Sequence, residues 1–289
     1  MKVDFIRFKA SDGVELRGLL SNNESDKAAI HIHGMSGNSY ENYFLDNLRA
    51  MYNKINIAFF TIDTRGSGII NSFRQYTAQD EGQKLGGSCF EIFEESVFDI
   101  QGAIDYIKTL GKTKFILQGH SMGSTKVVNY LINKNNPNVL TSVLLAPTDM
   151  PGWASTDPNH QSYLQKAKQL IAEGKKEDLV GSQCWLDETP ISAQTYRSIC
   201  EIGAAVDIYG DRDNGAFLGR VKVPTLIAYG DEDIGILEID GSINMWKVRV
   251  EEIKHQNTQI SIIKGAPHSF KDYEEELSKV VKSFLEKNV

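Results

Sequence analysis

Cysteine is scarce. Cys89, Cys184 and Cys200 are the only three in 289 residues, and their spacing fits no metal-binding pattern. An odd number of widely separated thiols argues against a disulfide framework, so reduced thiols in a cytoplasmic protein are expected, with no metal and no cofactor. Long apolar runs are also missing. Val143-Leu144-Leu145-Ala146 is typical, far short of the roughly 20 residues that span a bilayer, so no membrane insertion is expected. The opening Met1-Lys2-Val3-Asp4 has no apolar segment of the kind a secretory leader needs. Basic charge is not in excess: 31 Lys and Arg stand against 38 Asp and Glu, a net charge of -7, which argues against a nucleic-acid partner. No repeat or low-complexity tract is present. The remainder is 41% hydrophobic and 24% charged, the composition of an ordinary globular chain long enough for a large core.

The periodicities predict an α/β protein. Val3–Phe8 and Val14–Leu19 read as strands joined through Ser11-Asp12-Gly13, a hairpin signal. Further strands are expected at Ala28–Ile32, Ile55–Ile62, Phe115–Leu117 and Val139–Ala146. Phe93, Val97, Ile100, Ile104 and Ile107 recur at helical spacing before Gly111, and Met122–Ile132 forms a second helix. Strand and helix thus alternate to residue 146, which predicts a mostly parallel sheet with helices on both faces. Residues 147–219 break this pattern: they are polar, with Trp153, Tyr163, Trp185, Tyr196 and Tyr209 scattered among helical pieces at 161–174 and 193–202 and no strong strand. Regularity resumes with a strand at Val223–Tyr229, a helix near Met245–Glu252, a strand at Gln259–Ile263 and a last amphipathic helix through Phe284. The expected organisation is a core of 1–146 and 220–289 carrying an insert at 147–219.

Gly119-His120-Ser121-Met122-Gly123 fits G-x-S-x-G and stands between an expected strand and an expected helix. A serine on such a tight turn is lifted above the sheet edge. Side chains two residues before and after it would strike neighbouring backbone, hence Gly119 and Gly123. The hydroxyl needs a base. Of six histidines, His268 alone follows the last strand and precedes the last helix, where the base of this topology arrives. The acid must follow a strand and precede His268. Asp233 in Gly230-Asp231-Glu232-Asp233 is the first choice, Asp231 the second, and Asp149, after the strand ending at Ala146, the third. Oxyanion donors are expected at the backbone N–H groups of Met122 and of Met35, in His33-Gly34-Met35-Ser36-Gly37-Asn38. Glu91, Glu94 and Glu95 read as a solvated helix start.

In the order His33-Gly34, Asp63-Thr64-Arg65-Gly66-Ser67-Gly68, elbow, Gly230–Asp233 loop and His268, the chain resembles the α/β-hydrolase superfamily over nearly its whole length. The resemblance implies an eight-stranded sheet and a Ser121–His268–Asp233 triad. His33–Asn38 and Gly87-Ser88-Cys89-Phe90-Glu91-Ile92-Phe93-Glu94 are similar to a poorly characterised subfamily that includes hydrolases opening fungal siderophores. This implies a bulky natural-product ester or lactone, although the fungal members differ in the loop after the third strand and their substrate is not carried over. The expectation is a carboxylic ester hydrolase acting on a small acyl compound, with 147–219 as a lid. Amidase, thioesterase and acyltransferase readings share the same residues, and a non-catalytic ligand-binding protein on this fold is the alternative from another class.

Overall fold

Strands whose residues are apolar on both faces must be covered on both faces, and that requirement organises this chain. The structure, a computed structural model, describes residues 2–78, 80–185, 189–210 and 216–289. The Trp185 side chain lies outside the described residues. The strands and helices begin with β1 (Asp4–Lys9), β2 (Glu15–Ser21), β3 (Lys27–Ile32), α1 (Phe44–Lys54), β4 (Ala58–Asp63), β5 (Asn71–Tyr76), β6 (Glu81–Gly86) and α2 (Ser96–Thr109). Next come β7 (Lys114–His120), α3 (Met122–Asn133), β8 (Val139–Leu145), α4 (Met150–Ala154), α5 (His160–Ala172), β9 (Leu179–Trp185), β10 (Thr189–Ser192) and α6 (Ala193–Cys200). The chain closes with β11 (Thr225–Gly230), α7 (Ile234–Asp240), α8 (Ile243–Ile253), β12 (Thr258–Ile263) and α9 (Glu274–Asn288).

Eight strands form one sheet in the order β1-β2-β4-β3-β7-β8-β11-β12. β2 runs antiparallel to both its neighbours, and every pair from β4 to β12 is parallel. The hairpin between β1 and β2 turns at Gly13, whose φ is +88° and whose added Cβ would fall 2.0 Å from the Tyr76 carbonyl oxygen. Helices cover both faces, α1 packing with α9 and α2 with α3. Ile30, Phe60, Ile116, Leu117, Leu144 and Ile227 are fully buried in the central strands. One polar relay crosses this core: Tyr52 Oη–H donates to Gln118 Oε1 (2.9 Å), and Gln118 Nε2–H donates to His31 Nδ1 (2.8 Å). Tyr52, Gln118 and His31 Nδ1 supply one another's bonds, while His31 Nε2 is buried without a partner among the described residues. Among the described residues no helix is long and apolar enough to cross a membrane.

Several elements differ from the sequence expectations. The strand expected from Ile55 begins at Ala58, because α1 runs to Lys54 and Asn56 turns the chain at φ +58°. The helix expected from Phe93 opens with a 3-10 turn at Phe93–Glu95. The hairpin β5–β6 has mostly exposed or half-buried side chains, so it carries no apolar alternation to read. The segment 147–219, where no strong strand is expected, contains the antiparallel pair β9–β10, with Thr189 opposite Trp185 and Ile191 opposite Gly181. Gly181 and Pro190 weaken local strand preference, and cross-strand pairing overrides it. That segment builds a small core of its own from Met150, Ala167, Val180, Ile191, Tyr196 and Ile199, which extends to Phe93 and Met122. Trp153 and Tyr163 pack at its margin, whereas Tyr209 joins the main core.

Candidate active site

β7 delivers the chain to Ser121, and α3 carries it away. Ser121 has φ +54° and ψ −130°, a conformation that costs a residue with a Cβ roughly 1–3 kcal/mol. The turn closes only because its neighbours lack side chains. A Cβ on Gly119 would lie 2.4 Å from the Gly123 carbonyl, and one on Gly123 would lie 2.1 Å from the Ile32 oxygen. Ser121 N–H donates to Leu145 O at 2.9 Å, which ties the turn to the end of β8. The Ser121 Oγ is 2.9 Å from Thr148 Oγ1, in the loop that follows β8. Thr148 in turn shares the wall of a cavity of about 10 Å³ with His268 and Asp233, a volume on the scale of one water.

His268 lies between β12 and α9. Its Nδ1–H donates to Asp233 Oδ2 at 2.7 Å, which leaves Nε2 as the basic nitrogen. Asp233 is 1% exposed and caps α7, its Oδ1 accepting the Gly235 N–H at 2.9 Å, so both carboxylate oxygens are engaged. The two loops meet because Gly230 lets the backbone of Ala266 approach: an added Cβ there would be 1.9 Å from the Ala266 oxygen. The other candidate acids are occupied elsewhere. Asp231 accepts the Gly265 N–H at 2.5 Å, and Asp149 caps α4 through Gly152 while pairing with Arg249 at 2.6 Å. His120, beside Ser121, has a contact that the sequence did not reveal. Its Nε2–H donates to the His268 carbonyl at 2.9 Å and so supports the loop that carries His268. Burial, and after it the neighbouring His268, pushes His120 down to about 3, so it is neutral. Trp153 stands with its ring centroid 6.4 Å from that of His268, and its Nε1–H bonds Glu238 of α7.

The turn after β3 completes the group. A Cβ on Gly34 would lie 3.4 Å from Ser121 Oγ, so this backbone runs directly past the Ser121 hydroxyl. Gly34 O accepts the Gly37 N–H at 3.2 Å, and Ser36 takes φ +57°. His33 is fully buried, and its Nε2 accepts the Thr64 N–H at 3.0 Å. An accepting Nε2 places the proton on Nδ1, which donates to Gly34 O at 2.7 Å. Burial and then the Lys126 charge hold His33 down at about 3. A trans peptide points C=O and N–H to opposite sides, so the Met35 N–H is turned away from the His33 ring. Met122, at the start of α3, is fully buried.

Of the three glutamates only Glu91 is removed from water; Glu94 is exposed and Glu95 half-buried, yet all three have side-chain partners. Glu91 is 2% exposed and pairs with Lys126, Glu94 accepts from Ser198 Oγ at 2.7 Å, and Glu95 binds Arg65 and Lys84. Their partners come from distant parts of the chain, so local charge density misleads. Arg65, in the Asp63–Gly68 motif, is 2% exposed and joins Asp12, Glu95 and Asp99, which anchors the loop after β4. Thr148 had no sequence signal at all.

A curated protein of Synechocystis sp. that bears the provisional name non-heme chloroperoxidase is 26% identical over 264 residues, covering 83% of this chain and 84% of its own. Among solved structures, Est1E from Butyrivibrio proteoclasticus with bound ferulic acid matches with TM-score 0.68 at 20% identity, over 97% of this chain and 98% of that one. The α/β hydrolase GrgF from Penicillium sp. sh18 matches with TM-score 0.69 at 16% identity, over 100% and 99%. The esterase Pf2001 of Pyrococcus furiosus matches with TM-score 0.60 at 16% identity, over 99% and 91%. These likenesses show an α/β-hydrolase fold. Residues 89–287 match the family described as "Protein of unknown function (DUF1749)", and the chain belongs to that family.

Proposed function

We propose that this chain is a serine hydrolase of carboxylic esters, with Ser121 as nucleophile, His268 as base and Asp233 as the acid that orients it. In this reading Ser121 Oγ attacks the ester carbonyl while His268 Nε2 takes its proton. The tetrahedral oxyanion is held by the N–H groups of Met35 and Met122, and Asp233 stabilises the imidazolium. Collapse breaks the bond to the leaving alcohol, which receives the proton from His268. Water, deprotonated by the same nitrogen, then releases the acid and restores Ser121.

The observation that carries this reading is a serine at φ +54° within 2.9 Å of Thr148, which lines the same cavity as a histidine bonded to a buried aspartate. The esterases among the solved relatives support the ester class, and the ferulic acid in one of them supports a small acyl compound as substrate. Residues 147–219 act as a lid, with Trp153 beside His268 forming part of the substrate wall. The test pairs a fluorophosphonate probe with p-nitrophenyl esters. Wild type labels at Ser121 and turns the esters over, and Ser121→Ala does neither. An unlabelled, inactive wild type would favour the ligand-binding alternative.

A further inference from the structure

Beneath the oxyanion turn lies an ion pair that takes no part in the steps above. Lys126 Nζ, on α3 one turn past the nucleophile, is 2.7 Å from Glu91 Oε2, and the two side chains are 0% and 1% exposed. Removing two such charges from water costs several kcal/mol each, and an apolar pair of like volume would hold the fold as well or better. The chain even shapes itself around the pair, since a Cβ on Gly66 would lie 2.2 Å from the Glu91 carboxylate.

The charges lead to the oxyanion turn. Lys126 Nζ–H also reaches Thr64 Oγ1 at 3.4 Å, and the Gly66 N–H donates to the same oxygen at 3.3 Å. With its lone pairs so engaged, Thr64 Oγ1 directs its own proton to His33 Nε2, 3.1 Å away, where it shares the one lone pair with the Thr64 N–H at 3.0 Å. His33 then donates only through Nδ1, to Gly34 O. We propose that Lys126, locked by Glu91, is a positioning residue: through Thr64 and His33 it fixes the Gly34–Met35 peptide and so aims the Met35 N–H for the oxyanion. The same helix carries Ser121 at its start, so nucleophile and oxyanion donor are referred to one rigid element. The role in catalysis rests on the serine-hydrolase reading, whereas the Lys126-to-His33 link does not.

The test uses three variants of the full chain: Lys126→Met, the apolar pair Lys126→Met/Glu91→Leu, and Thr64→Val. Lys126→Met strands a buried carboxylate and loses stability, and the apolar pair recovers it. A purely structural role predicts that kcat recovers with it. Positioning predicts that it does not. In the stable pair and in Thr64→Val alike, kcat for a p-nitrophenyl ester falls about tenfold or more, part of what loss of an oxyanion donor costs. KM stays within about twofold, and combining Thr64→Val with the pair adds nothing further. Ring 15N shifts of His33 supply a readout that needs no activity: the Nε2 resonance moves in each variant. Wild-type kcat in the apolar pair, or an unmoved His33 ring, overturns the proposal. An inert wild type whose His33 still responds defeats the hydrolase reading and upholds the link.

Discussion

Three histidines fold into places where they must stay neutral, and this sets how the protein responds to acid. His33 and His120 are held at about 3 by burial, and burial drives His31 well below its ordinary value. Unfolded, each titrates near 6.5. Between those values the unfolded chain binds the proton and the folded chain does not, so stability falls as pH falls, by about 1.4 kcal/mol per pH unit per imidazole. From pH 7 to pH 5 that is about 2 kcal/mol for each of His33 and His120 and about 4 kcal/mol for the two, a large share of the roughly 5–15 kcal/mol of a typical fold, and His31 acts in the same sense. The carboxyls of Glu41, Asp207 and Asp240 are raised chiefly by desolvation and act in the opposite sense as pH drops through the carboxylate range. A difference between two proteins cancels them. Urea unfolding from pH 7 to pH 5 should therefore show a slope for His120→Gln that is on average about 1 kcal/mol per pH unit shallower than that of wild type. Parallel curves, or a wild-type stability indifferent to pH across this window, would refute the account of His120 as a buried neutral donor.

Asp233→Asn should cost kcat about 10⁴-fold with little change in KM, because an amide facing Nδ1 favours the wrong imidazole tautomer; steady-state kinetics on a p-nitrophenyl ester decide it. Ser121→Ala and His268→Ala should each remove most of the rate, and the double variant should lose little more, since the two act as a unit; additive losses would separate them. Gly123→Ala drives a methyl onto the Ile32 carbonyl, 2.1 Å from the ideal Cβ position, and should unfold at lower urea than wild type while losing fluorophosphonate labelling. Trp246, 1% exposed and packed edge-on against Tyr229 with ring centroids 4.4 Å apart, should lose about 3–5 kcal/mol as Trp246→Ala, read from the urea midpoint.

The alternation of buried strands and amphipathic helices, and the glycines at 119 and 123, are properties of the chain itself. Apolar spacing decides which faces need cover, and a tight turn excludes side chains wherever it forms, so the fold class and the serine turn were legible from the order of residues. The choice among Asp149, Asp231 and Asp233 was not. All three follow strands, and only the meeting of Gly230 with Ala266 shows that Asp233 faces His268 while the others bind Gly265, Gly152 and Arg249. Thr148, His120 and the Lys126–Glu91 pair were equally hidden, because their partners lie 27, 148 and 35 positions away. Local pattern fixes what each segment can become. Which polar groups are removed from water together depends on how the segments pack, and burial decides whether a glutamate is a surface charge or an anchor beneath the site.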